Sequence, residues 1–199
     1  HPFDTIKVLI QNRYKYLPTS LKDYYRGYRF PLVSASILNS ITFPLVCKAY
    51  PYTNNYYISG YISGVCISPF VFFFDIGKIK MQTKQELNLN MFIHNKGRIS
   101  TYLRESTAMS LYFGTYFNLK QNYDAPPFLA GACAGLINWT FTYPIDVIKN
   151  RQISQNCSII VALKQKNLWK GYTFCAMRSI IVNAAVFTTY ETIHSILKN

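Results

Sequence analysis

The chain has 199 residues, half of them hydrophobic and 15% charged, with 21 Lys and Arg against 8 Asp and Glu for a net charge of +13. A soluble domain of this length would carry more charge, and a nucleic-acid binder would concentrate its basic residues, which here fall in three separate stretches. That balance points to a membrane protein whose positive charge meets an anionic bilayer surface or an anionic solute.

Taken in chain order, the sequence alternates basic and apolar stretches. It begins at His1 inside what reads as a helix, so residues are expected upstream; a basic stretch over 7–29 follows, then an apolar run over 30–47. Residues 51–55 carry almost no basic charge, and 56–74 carry no charge at all. The second basic stretch covers 78–104, followed by an apolar run over 106–119, a weakly charged link at 121–127 and the uncharged stretch 128–145. The third basic stretch covers 149–170, and 179–190 is again apolar.

Each uncharged stretch is about the length that crosses ~30 Å of hydrocarbon as a helix, too long for an ordinary buried soluble helix. The Ser, Thr, Asn and Gly in the shorter runs suit helices packed on other helices or facing water. Basic and non-basic connections alternate, as the positive-inside rule requires of a multi-span protein. The five cysteines, Cys47, Cys66, Cys133, Cys157 and Cys175, have no metal or CxxC spacing and read as small buried thiols. No secretory signal is expected.

A threefold repeat organises the chain. His1-Pro2-Phe3-Asp4-Thr5-Ile6-Lys7 recurs as Tyr143-Pro144-Ile145-Asp146-Val147-Ile148-Lys149, with Phe73-Phe74-Asp75-Ile76-Gly77-Lys78 between them. The anchors at 2, 73 and 144 lie 71 residues apart. Gly60 and Gly64 match Gly131 and Gly135 ahead of the second and third anchors, a small-xxx-small face for close helix approach. A basic-glycine step follows each anchor helix, at Tyr25-Arg26-Gly27, Asn95-Lys96-Gly97 and Trp169-Lys170-Gly171. The units are 1–53, 54–123 and 124–199, each a helix, a basic loop and a second helix.

These motifs resemble the mitochondrial carrier family, whose signature is P-x-D/E-x-x-K/R followed by an aromatic-basic-Gly step. Copies one and three match it, while copy two has Phe73 for proline and Asn95 for the aromatic residue. The resemblance implies an all-α membrane protein, a six-helix bundle of pseudo-threefold symmetry with its first helix incomplete. It also implies a multi-pass, monomeric protein of the mitochondrial inner membrane, with no cofactor or nucleic-acid partner and with cardiolipin as bound lipid. The repeats are shorter than is usual in the family. The abundance of Asn, Ile, Lys, Tyr and Phe fits an AT-rich genome such as that of a parasite or a giant virus.

Asp and Lys three apart share one helix face. By the resemblance, the acid of one repeat meets the base of the next, pairing Asp4 with Lys78, Asp75 with Lys149 and Asp146 with Lys7 in a ring that closes the matrix side; separate intrahelical pairs are the alternative. Gln11 and Gln82 resemble the family's braces of that ring, whereas copy three has Ile153 at the brace position and Gln152 one residue earlier. The opposite, cytoplasmic gate retains one complete pair, Lys120 with Glu191. Cardiolipin is expected at Arg26, Gly27, Lys96, Gly97, Lys170 and Gly171.

Substrate contacts in the family lie seven residues beyond each step glycine, which gives Ser34, Arg104 and Arg178, with Glu105 beside Arg104. Charges inside a membrane are costly and mark function. An Arg-Glu pair suits an amino-acid or carnitine-like zwitterion. Arg also binds phosphate, which leaves a nucleotide or deoxynucleotide open, although the Gly-apolar pair of adenine-nucleotide carriers is absent. Transport of a small metabolite by alternating access is the expectation, with exchange and uniport both open. A carrier-derived membrane-interaction or leak protein without transport is the alternative. His1, His94 and His194 form no catalytic set, so an enzyme is not expected.

Overall fold

The computed structural model describes residues 2–12, 20–25, 27–85, 92 and 94–177, apart from the side chains of Lys22 and Asn39. The described elements are α1 (Pro2–Gln11), α2 (Leu21–Tyr24), α3 (Arg29–Thr53), α4 (Tyr56–Gln82), α5 (Arg98–Asn122), α6 (Pro127–Gln155) and α7 (Ile159–Lys164), and residues 172–177 are helical again. No strand occurs among the described residues.

The long helices are set by punctuation as well as by apolar content. Asn54, at φ 49°, ends α3 in the left-handed region, and the Asn55 side chain then accepts the Tyr57 N–H to start α4. A two-residue link of this kind makes α3 and α4 antiparallel neighbours. Asn156, also at φ 49°, closes α6 in the same way. Helices α3 and α4 are long and apolar enough to cross a membrane.

Consecutive helices pack side by side, α3 on α4, α4 on α5 and α5 on α6, while α1 touches both α4 and α6. The three anchor helices therefore meet at one end. Close approach depends on glycine: a Cβ on Gly60 would stand 2.4 Å from the Met109 carbonyl oxygen, and one on Gly64 would stand 2.6 Å from that of Glu105. The α4–α5 contact is thus backbone against backbone. A Cβ on Gly131 or Gly135, their counterparts on α6, would meet no other side chain or helix within 4 Å among the described residues.

Polarity is distributed in the reverse of a soluble fold. Arg151, Lys149, Asp146, Glu105 and Lys7 are buried, whereas Leu32, Phe70, Phe73, Ile99 and Phe141 are at least half exposed. Exposed apolar side chains around a charged interior suit a hydrocarbon surround and a polar central path.

Candidate functional site

The anchor helices bring the repeated acids and bases together as a closed ring. Lys78 Nζ lies 3.1 Å from Asp4 Oδ2, Lys149 Nζ lies 2.8 Å from Asp75 Oδ2, and Lys7 Nζ lies 2.7 Å from Asp146 Oδ2. Each pair joins one repeat to another. Within a repeat, Asp146 and Lys149 stay 3.8 Å apart, so the intrahelical contact is the longer one. One acid and one base per repeat, on one helix face, close a three-membered circuit only if the helices converge, as α1, α4 and α6 do.

Above the ring is a cavity of about 290 Å³. The six ring residues form its floor, with Arg104 and Glu105 of α5, Trp139 and Asn150 of α6, and Ala35, Leu38 and Thr42 of α3 among its lining. Four acids and four bases line it, so its described wall is formally neutral.

Arg104 and Glu105 extend the ring upward. Arg104 Nη1 lies 2.5 Å from Glu105 Oε1, and that oxygen is 3.6 Å from Lys149 Nζ. Arg104 Nε faces Asp146 Oδ1 at 3.8 Å and has no hydrogen-bond partner among the described residues. Two cations lie over the Trp139 ring, Lys7 Nζ at 4.7 Å and the Arg104 guanidinium carbon at 5.0 Å from its centroid.

The predicted braces sit close beside the ring. Gln11 is fully buried and donates to the Tyr143 hydroxyl at 3.1 Å, while Asn150 Nδ2 donates both to Gln11 Oε1 at 2.6 Å and to Asp146 Oδ2 at 3.2 Å. Gln11 therefore reaches the Asp146–Lys7 pair through Asn150, a residue the sequence reading did not single out. Gln82 donates to the Thr5 hydroxyl at 3.1 Å, and Thr5 donates to the Tyr24 carbonyl. Gln152 accepts from Ser100 and donates to the carbonyls of Lys96 and Cys157, all outside the ring.

Of the remaining sequence candidates, Ser34 and Lys120 lie away from the cavity lining. Ser34 donates to the Pro31 carbonyl and is not part of the cavity lining, which α3 reaches through Ala35, Leu38 and Thr42. Lys120 is exposed near the far end of α5. Arg178, Glu191 and Arg26 lie outside the described residues.

Gly27 and Gly171 adopt φ +77° and +89°, which only glycine takes without strain. Gly97 does not; there Asn95 Oδ1 accepts the Gly97 N–H, and its amide donates to the Ile153 carbonyl. The Lys96 N–H is bonded to Asn156 Oδ1, and the Lys170 carbonyl accepts from the Tyr143 hydroxyl. Neither Tyr28 nor Gly97, at the starts of α3 and α5, offers a side-chain cap.

Two buried cations escaped the sequence reading. Arg151 is wholly buried and donates to the carbonyls of Gln11, Ala162, Lys166 and Asn167. Lys80, one repeat earlier, donates to the Ser154 carbonyl at 3.0 Å and to Gln85. Their recurrence 71 residues apart was a visible signal.

Among known proteins, residues 124–199 match the family profile described as "Mitochondrial carrier protein". The chain is 24% identical to "Solute carrier family 25 member 45" of Mus musculus, over 96% of this chain and 91% of that protein. It is 26% identical to "Mitochondrial basic amino acids transporter" of Bos taurus, over 98% of this chain and 86% of that protein. It is also 25% identical to "Mitochondrial ornithine transporter 1" of Schizosaccharomyces pombe, over 95% and 80%.

Proposed function

This chain belongs to the mitochondrial carrier family, and on that footing we propose that it carries an amino acid bearing a carboxylate and an ammonium group across the mitochondrial inner membrane, a basic amino acid being the best fit. The observation that carries this reading is the Arg104–Glu105 pair in a neutral cavity wall. Arg104 has a buried Nε–H with no hydrogen-bond acceptor among the described residues, facing Asp146 at 3.8 Å, and a substrate carboxylate can compete with Asp146 and Glu105 for this guanidinium. Glu105 has a carboxylate that an ammonium can share. Relatives named as basic amino acid and ornithine transporters support the same class. A nucleotide would bring several negative charges to a wall whose four bases already face four acids, which weighs against that reading.

The ring is the closed matrix-side gate, and Gln11 and Gln82 brace it. Substrate binding favours opening by competing for Arg104 and Glu105, which contact Asp146 and Lys149. By the family resemblance Lys120 and Glu191 are assigned to the outer gate and Arg178 to substrate binding; Glu191 and Arg178 lie outside the described residues. Cardiolipin headgroups sit at the basic-glycine steps, where uncapped helix N-termini present backbone N–H groups. A leak protein without transport would have no use for a ring in which every acid is paired.

Reconstitution into cardiolipin-containing vesicles tests this reading. Uptake of labelled arginine or ornithine, with none of ATP or dATP, is the expected result; the reverse pattern would select the nucleotide.

A further inference from the structure

Two departures from the repeat meet at one place in the fold. We propose that Asn95 and Gln152 are positioning residues that fasten the start of α5 to the end of α6 and so hold Arg104 and Glu105 against Asp146 and Lys149 of the ring. This rests on the reading of Arg104 and Glu105 as the substrate pair.

The first departure is Gln152. Gln11 and Gln82 stand nine residues beyond their anchors, and the equivalent position in repeat three is Ile153. Successive residues of a helix are turned by about 100°, so a glutamine one place earlier leaves the brace face. Ile153 packs there instead, with Val8, Phe72, Ile76 and Ile79. Gln152, only 1% exposed, turns to α5: its side-chain oxygen accepts from the Ser100 hydroxyl, and its amide donates to the Lys96 and Cys157 carbonyls, both at 3.3 Å.

The second departure is Asn95, where copies one and three have Tyr25 and Trp169. The short amide works in both directions. Its oxygen accepts the Gly97 N–H at 3.0 Å, and its nitrogen donates at 3.1 Å to the carbonyl of Ile153, the neighbour of Gln152. The Lys96 N–H adds a bond to Asn156 Oδ1 at 3.1 Å. Gly97 completes the fit, since a Cβ there would stand 2.6 Å from Ile153 Cγ1. From α4, Lys80 donates to the Ser154 carbonyl at 3.0 Å. Buried amides bonded in this way specify one geometry.

This joint is the base of an antiparallel seam. Helix α5 runs away from it and α6 runs towards it, so the contacts climb in order. Ser100 meets Gln152, then Glu105 meets Lys149 at 3.6 Å and Arg104 meets Asp146 at 3.8 Å. The upper two contacts are longer than hydrogen bonds and depend on the height of α5, where a slip of one residue is about 1.5 Å. The joint sets that height with directional bonds.

A double-mutant cycle on arginine uptake tests the proposal. Gln152→Leu keeps most of the volume and removes the bonds, and it should raise the KM for arginine roughly fivefold in folded protein; in a Glu105→Gln background, where the placed carboxylate is already gone, it should add less than about twofold. A residue that merely supports the fold would multiply its effect with that of Glu105→Gln, and that outcome overturns the proposal, as does an unchanged KM in Gln152→Leu. If Gln152→Leu does not fold, Asn95→Ala carries the same cycle with the same expectation. If the parent protein takes up no arginine, the cycle is read on melting temperature instead. Coupled losses would then keep the joint and sink the substrate reading, and additive losses would sink both.

Discussion

Lys149 and Glu105 stand 3.6 Å apart, Nζ to Oε1, with both side chains at or below 5% exposure. Lys149 also holds Asp75 of the ring, and Glu105 also holds Arg104 of the cavity wall. One contact therefore joins the proposed substrate-binding pair to the proposed gate, and on that reading a solute that draws on Glu105 would loosen Lys149.

Glu105→Gln isolates this link. It removes a carboxylate from two buried cations that keep Asp75 and Asp146 as partners, so the stability cost should fall below the ~3–5 kcal/mol of a fully orphaned buried charge. Arginine uptake should drop at least tenfold, about 1.4 kcal/mol of lost stabilisation, in protein whose melting temperature falls only modestly. Undiminished arginine uptake would make Glu105 structural.

Charge reversal tests the inter-repeat pairing. Lys78→Asp sets two carboxylates against each other at the Asp4 junction, and uptake should be abolished. Adding Asp4→Lys restores an opposite-charge pair there, and part of the uptake should return. A double variant that folds and remains as inactive as the single would refute a gating role for this pair.

Cardiolipin should stabilise the folded protein by mass action, about 2.7 kcal/mol at a concentration a hundredfold above its dissociation constant. In a detergent melt this appears as a rise in transition temperature. Gly97→Val should shrink that rise, since its Cβ would stand 2.6 Å from Ile153 Cγ1, and Lys170→Gln should do so without backbone strain. No response of the parent protein to cardiolipin would remove the lipid site.

The α4–α5 seam gives a stability prediction independent of transport. Gly60→Ala puts a methyl group 2.4 Å from a backbone oxygen, which no side-chain rotation can relieve. The helices must separate, and overpacking of this kind costs ~1–3 kcal/mol. A thermal melt of Gly60→Ala unchanged from the parent would mean that the two backbones are not in contact.

The ring was legible because repetition marks it: Asp4, Asp75 and Asp146 recur at one interval, as do Lys7, Lys78 and Lys149. Asn150 and Trp139 were not legible, since an amide bridging two side chains and an indole close to two cations have no repeat counterpart to announce them. Arg151 was overlooked because it donates to main-chain carbonyls, which sequence cannot identify. Counting seven residues from a glycine fixes height along a helix but not the face presented. For Arg104 the two coincide; for Ser34 the neighbouring Ala35 takes the cavity face.

The central claim, that this chain carries a basic amino acid, is tested most directly by uptake of labelled arginine into cardiolipin-containing vesicles preloaded with arginine. The account predicts time-dependent accumulation that unlabelled ornithine suppresses, that ATP leaves unchanged and that Arg104→Ala abolishes. Accumulation of ATP with arginine ignored, or equal leakage of every solute through well-folded protein, would contradict it.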